Sequence, residues 1–378
     1  MSEQIVDCGI VGGGLAGLTL AIQLADAGYS VILFEKEKYP FHKVCGEYIS
    51  MESYGFLERI GMPLSNMDLP MIDEVKISSP NGTTFTRKLD LGGFGISRYT
   101  LDSTLAGIAK TKGVILLEET KVTDVVFKND SFLIKTDHHT YRAKIAYGAY
   151  GKRSALDKKL NRTSVKPVSS RGKNYVAVKY HVKIALPANR IELHNFKDGY
   201  CGISKVDGDN YCLCYLTDSK NLKNNNSDIK IMEQNVLMKN PFLKKYFAEA
   251  VILYQQPLTI SQVTFSKKST IENHVLMLGD AAGSIAPLSG NGMSMAMHAS
   301  LQAFLLADRY LKEDISRENY EKSYSDQWDH LFSKRIKTGQ YIQHLFGKAL
   351  LTNIAISILK RTPFLADKLI NSTHGDKF

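Results

Sequence analysis

Gly12, Gly14 and Gly17 stand in the stretch "IVGGGLAG" at G-x-G-x-x-G spacing, and an acidic residue, Glu35, follows 18 positions after the last of them. These residue types at these distances suit one chemistry, the binding of a dinucleotide. The first glycine permits a tight turn, the second lets the backbone approach a pyrophosphate, and the third lets a helix pack on a strand. The phosphates then lie on the free N–H groups and positive dipole end of that helix. A carboxylate at Glu35 can accept both ribose hydroxyls of an adenosine and repels a 2′-phosphate, so the site should hold FAD or NAD rather than NADP.

A second group of residues can do chemistry in "VLMLGDAAGSIAPLSGNGMSMAM" (275–297). Asp280, beside Gly279, can hydrogen-bond a polyol such as a ribityl chain. Gly290, Asn291 and Gly292 open another helix, where exposed N–H groups can stabilise negative charge on a reduced flavin. The loop "KVCGEYIS" (43–50) adds Cys45, followed directly by Gly46 and Glu47.

The elements needed to position these groups are legible. "IVDCGIV" (5–11) and "VILFE" (31–35) read as strands around a helix over 15–30, a βαβ opening. Asn81-Gly82 signals a hairpin between "DEVKISS" and "TTFTRKLD". Residues 50–61 and 98–113 read as helices. From about 170 to 270 alternating runs predict an antiparallel sheet interrupted by a helix near 227–247, and everything after Gly292 reads as helical.

Composition sets the bounds. A chain of 378 residues with 44% hydrophobic and 23% charged residues can bury a large core and enclose a ligand. The N-terminus has no signal-peptide pattern and no apolar run is long enough to span a bilayer, so a cytoplasmic location is expected. Five scattered cysteines argue for a reducing compartment. The net charge is +10, concentrated late, with eight Lys/Arg against two Asp/Glu from Lys334 onward. No nucleic-acid motif accompanies it. "YIQHLFGKALLTNIAISILKR" (341–361) is apolar with basic ends, which would suit peripheral contact with an acidic membrane, a cover over the substrate pocket, or a dimer face.

Together, "GGGLAG", Glu35, "SRYTLDSTL" (97–105), "GAYGKRS" (148–154) and "GDAAGSIAPLSGNG" resemble the FAD-dependent oxidoreductases of the para-hydroxybenzoate hydroxylase superfamily. Lys43-Val44-Cys45-Gly46 matches the K-x-C-G element of its geranylgeranyl-reductase-like branch. The resemblance implies an α/β fold: a Rossmann-like, glutathione-reductase-like (GR2-type) FAD-binding domain, an inserted antiparallel-sheet substrate domain, and a helical C-terminal region. The corresponding boundaries are 1–165 with 270–312 for the FAD-binding domain, including a small hairpin about 73–90. They are 166–269 for the substrate domain and 313–378 for the helical, basic region. It also implies non-covalent FAD held by Gly12, Gly14, Gly17, Glu35, Lys36, Arg98 and Asp280, with Val122 beside adenine. The "KVCGEYIS" loop should then run beside the flavin. Gly46 would permit close backbone approach, Lys43 and Glu47 are candidates for ribose or phosphate contacts, and Cys45 is either a packing residue or a proton donor.

The chain departs from that pattern in places. Tyr150 stands where the family has an acid tied to nicotinamide use, and no second dinucleotide motif is visible, so NAD(P)H would act only as a transient reductant. The Y-x-W-x-F-P element of prenyl reductases is matched by "YCGISK" (200–205), keeping Tyr200 but placing Gly202, Ser204 and Lys205 where the wall residues belong. Halogenases need W-x-W-x-I-P, and this chain has one tryptophan, Trp328. Cys212 and Cys214 share a strand face and read as small buried hydrophobes. The first expectation is therefore a monooxygenase that hydroxylates a small aromatic or polyketide-like substrate with O2 through a flavin C4a-hydroperoxide, with Cys45, Tyr200 and His298 as catalytic candidates. The alternatives are a C=C reductase of the geranylgeranyl-reductase-like kind and a non-catalytic flavin- or lipid-binding membrane protein.

Overall fold

The computed structural model describes residues 5–160, 162, 174–263, 267–284, 291–345, 348–371 and 375–378. The predicted βαβ opening forms around α1 (Leu15–Asp26), whose first ten residues are all buried, because it lies between a sheet and a second helix. The first sheet runs β16 (Ile271–Glu272), β17 (Val275–Met277), β9 (Thr140–Gly148), β1 (Ile5–Val11), β2 (Val31–Phe34), β6 (Ile115–Leu117). β17, β9, β1, β2 and β6 are parallel, and a β7 (Val122–Lys128) and β8 (Ser131–Thr136) hairpin joins through β9. This is the Rossmann-like half.

The second sheet has nine strands, in the order β14 (Val251–Ile252), β10 (Tyr175–Lys183), β13 (Tyr211–Asp218), β12 (Gly199–Lys205), β11 (Arg190–Phe196), β4 (Met71–Ser78), β5 (Thr84–Gly95), β3 (Tyr48–Ser50), with β15 (Leu258–Val263) also on β10. It differs from the expected purely antiparallel sheet. The hairpin expected as a small addition to the nucleotide-binding part is β4 and β5, and β4 pairs in parallel with β11. An Arg190–Glu74 ion pair and an Asn195 Nδ2 to Ser78 O bond of 2.8 Å support that joint, contacts that strand periodicity cannot reveal.

Helices complete the layers. α2 (Tyr54–Arg59) follows β3, α3 (Arg98–Thr111) follows β5 and α4 (Leu156–Lys159) follows β9, while α5 (Ser219–Lys223), α6 (Ile229–Asn235) and α7 (Pro241–Glu249) cover the second sheet. α8 (Gly292–Leu311) lies beside α1, then α9 (Arg317–Leu345), α10 (Ala349–Arg361) and α11 (Pro363–Asn371) finish the chain. Tyr320, Tyr324, Trp328, Phe332 and Ile336 recur every four residues along α9 and are all buried, as one face of a helix requires.

Candidate active site

α1 and α8 run side by side in the same direction. Thr19 Oγ1 lies 2.7 Å from Ser300 Oγ, and Tyr29 donates to Asp308 Oδ1 at 2.7 Å further along. At the other end a Cβ on Gly279 would meet Ala16 Cβ at 3.3 Å and Ala296 Cβ at 3.4 Å. The two helix N-termini therefore open at one place, with the 279–281 turn between them, and their positive dipole ends add.

The glycines divide by role. Gly12 has φ +111°, and a Cβ there would lie 2.5 Å from Ala149 O. A Cβ on Gly17 would come within 2.0 Å of Gly12 O, so this glycine allows the helix to touch the strand. Gly14, the N-cap of α1, is different: a Cβ there would meet only Lys43 Nζ, at 4.0 Å. No side chain caps this helix and its first turn carries no acid. Lys43 Nζ and Arg98 share one carboxylate, Asp102, at 3.0 and 2.6 Å, so two cations with one anion stand beside the open N–H groups. Burial opposes ionisation of Asp102, but Arg98 and Lys43 outweigh it and hold the carboxyl below its ordinary range. Glu35 is buried, accepts Gly13 N–H at 2.9 Å, and fixes the glycine loop to the end of β2. This donor set fits a pyrophosphate and ribose.

The "KVCGE" loop joins both ends. The Cys45 thiol is half-buried, with Sγ 3.6 Å from Met293 Sδ in the first turn of α8. Lys43 reaches back to Gly13 O at 3.5 Å. A Cβ on Gly46 would meet nothing within 4 Å. The loop thus spans from the glycine motif to the second helix N-terminus.

Glu47 turns the other way, toward the second sheet, which corrects its expected ribose or phosphate contact. It is fully buried with φ 57°, a left-handed conformation unusual for a glutamate. Its Oε1 accepts from Lys179 Nζ and from Arg98 N at 2.7 Å, and its Oε2 lies 2.5 Å from His181 Nε2. Burial raises the Glu47 carboxyl, but His181 and Lys179 bring it below its ordinary value. Burial works against the Lys179 ammonium, yet Cys212 and Glu47 carry it above its ordinary value. His181 Nδ1 meets Tyr254 OH at 2.5 Å, Tyr254 OH lies 3.0 Å from His42 Nε2, and His42 stacks on exposed Tyr99 at 4.6 Å. A continuous polar path runs from the surface to the loop. Cys212 donates to Cys45 O at 3.2 Å, which places it in this cluster rather than among plain hydrophobes. One ligand atom each from Glu47, His181 and Cys212 lies within 4.8 Å of the others, but the Lys179 ammonium on the same carboxylate opposes a second cation.

A family model described as an NAD(P)-binding Rossmann-like domain matches residues 10–44. A digeranylgeranylglycerophospholipid reductase of Methanococcoides burtonii is 25% identical over 92% of this chain and 85% of its own length. Conditioned medium factor receptor 1 of Dictyostelium discoideum is 26% identical over 86% of this chain and 68% of its own. A solved geranylgeranyl bacteriochlorophyll reductase-like protein of Thermoplasma acidophilum superposes with a TM-score of 0.80, at 18% identity, over 99% of this chain and 97% of that one. The glycine motif and the turn before α8 open together onto one K-x-C-G loop within this fold. The chain is an FAD-dependent oxidoreductase, similar to proteins of the geranylgeranyl-reductase-like kind. Flavin-dependent halogenases and a monooxygenase share the fold as well.

In this oxidoreductase the remaining expected residues fall as follows. Asp280 is half exposed; Ser284 donates to it at 3.0 Å, and Lys152 Nζ forms an ion pair with it at 4.0 Å. Gly292 starts α8 and Asn291 holds its N-cap position with no side-chain capping bond, while Gly290 lies outside the described residues. Val122 is buried at the start of β7. Lys36 is exposed and pairs with Glu37 at 3.6 Å. Tyr200 is buried among Tyr175, Ala177, Leu193, Leu216 and Val44. His298 stacks on Phe378 at 4.3 Å and meets Phe332 edge-on, so its surroundings are the C-terminal segment. Tyr150 OH bonds Asp157 at 3.1 Å and Arg162 at 3.2 Å, a structural tie in place of the family acid.

Proposed function

We propose that this chain reduces carbon–carbon double bonds in a long apolar substrate of polyprenyl type. One observation carries the reading: the hydrogen-bonded path His42–Tyr254–His181–Glu47, which ends two residues from Cys45. Hydroxylation asks little acid–base work of the protein, whereas saturating a double bond requires a proton for one carbon. FAD, when bound and reduced, supplies the hydride for the other. Glu47 and His181 hold the proton, Tyr254 and His42 replenish it from solvent, and Lys179 keeps the buried carboxylate in place. Cys45 presents the thiol nearest the second helix N-terminus and is the proposed donor to carbon.

The order of expectations changes for a second reason. The interrupted Y-x-W-x-F-P element argued against a prenyl substrate. Without that element, Tyr175, Ala177, Leu193, Tyr200 and Leu216 from four adjacent strands still form one buried apolar cluster against Val44 of the K-x-C-G loop. The name of the M. burtonii relative supports the lipid class. Gly12, Gly14, Glu35, Lys43, Arg98 and Asp280 are proposed to hold the cofactor. The test is turnover of polyprenyl glycerolipids by dithionite-reduced protein with and without labelled oxygen. A saturated product in both conditions supports reduction. A product formed only with O2 and carrying the label would establish hydroxylation.

A further inference from the structure

α10 and α11 sit on the outer side of the second sheet with their apolar stripe facing outward. Thr352 and Ile356 are buried at 1% and 0% exposure, and Ile356 packs with Ala366 and Phe85. Leu351, Ile354 and Ile358, spaced three and four apart on the opposite face, are 44%, 50% and 49% exposed. Phe364 and Leu365, at the start of α11, are 74% and 48% exposed. One residue, Thr362, separates the helices, so the exposed apolar side chains of both lie within one short stretch of chain. An amphipathic helix on a globular protein puts its apolar stripe inward; here that position is already filled from the other face.

Cations stand at the ends of α10 and in α11. Lys348, Lys360, Arg361 and Lys368 are all exposed, within a segment holding eight Lys/Arg against two Asp/Glu. An apolar ridge with cations at its ends matches the acyl and headgroup layers of an anionic bilayer. Nucleic acid would use the charge but not the ridge. α10 has 13 residues, and among the described residues no helix is long and apolar enough to cross a membrane, so the helices would lie in the interface rather than span it.

We infer that the α10–α11 ridge docks the protein on the surface of an anionic lipid bilayer. The inference stands independently of the reaction. Docking is read by co-sedimentation of the full chain with phosphatidylcholine vesicles, with and without phosphatidylglycerol. FAD absorbance and solution mass are followed in parallel. The chain should pellet with anionic vesicles and weakly with neutral ones. Ile354→Glu/Ile358→Glu and, separately, Lys360→Glu/Arg361→Glu should each weaken partitioning by about tenfold or more, with bound FAD and mass unchanged. Absence of pelleting with either vesicle would overturn the inference. So would a wild-type dimer that Ile354→Glu/Ile358→Glu converts to monomer, since the ridge would then be a subunit contact.

Discussion

Glu47 Oε2 and His181 Nε2 stand 2.5 Å apart where the "KVCGE" loop meets the second sheet. The contact ties the cofactor end of the molecule to the sheet that would face the substrate. It also puts a buried acid–base pair beside the residues proposed to face the flavin.

Gly14 and Gly17 should respond differently to alanine. At Gly17 a Cβ would lie 2.0 Å from Gly12 O, so Gly17→Ala should lower stability by about 2 kcal/mol or more. Gly14 has extended backbone (φ −82°, ψ −176°) and open space above it, so Gly14→Ala should leave apoprotein stability within about 0.5 kcal/mol. Its methyl would instead stand where the pyrophosphate belongs, weakening FAD binding by about tenfold or more. Urea unfolding of apoprotein, with FAD titration by flavin fluorescence, checks both.

Arg98→Gln and Lys43→Met should each weaken FAD binding by about ten- to a hundredfold, the range of a lost charge-assisted hydrogen bond. Asp102→Asn should do the opposite or little, because it frees both cations. Equal affinity for all three would remove the pyrophosphate from this end of α1.

Lys179 and Glu47 are both fully buried and paired. Lys179→Met leaves the carboxylate with His181 and a backbone N–H, and should cost about 3–5 kcal/mol. Adding Glu47→Gln on that background should cost clearly less than it does alone, and a double-mutant cycle from urea unfolding measures the difference. Additive losses would show that the two groups do not act as a pair.

Stability should fall on acidification in two stages. Buried His194 lies below its ordinary 6.5, so the unfolded chain gains its proton first and loss begins near pH 6.5. Burial opposes ionisation of Glu192, but His194, Tyr246 and Lys76 bring it to about 2, and Glu47 is also lowered. The contribution of these carboxylates is fully present above about 4.5 and is lost as pH falls from there toward 2. Glu192→Gln should flatten the lower stage in unfolding curves taken across pH; an unchanged curve would contradict this.

The cofactor end was largely legible because glycine spacing, a terminal carboxylate and small-residue turns each answer to one local geometry. The Glu47 network was not. "NYVAVKYHVKI" alternates like a strand with one wet face, and Lys179 and His181 read as that face. Period two places them together but cannot say that an acid 134 residues from His181 waits opposite them. The β4–β11 joint was hidden for the same reason, since parallel register depends on a partner far away in sequence. The exposed ridge of α10 was visible as an apolar, basic-ended stretch, but not the outward direction of its stripe.

The most direct measurement is an anaerobic single turnover in D2O, mixing dithionite-reduced holoprotein with a polyprenyl glycerolipid and reading the lipid by mass spectrometry. A saturated product carrying deuterium at the former double bond, formed more slowly by at least about a hundredfold in Glu47→Gln with FAD still bound, is the predicted result. Recovery of unlabelled, unsaturated lipid from fully reduced wild-type protein would contradict it.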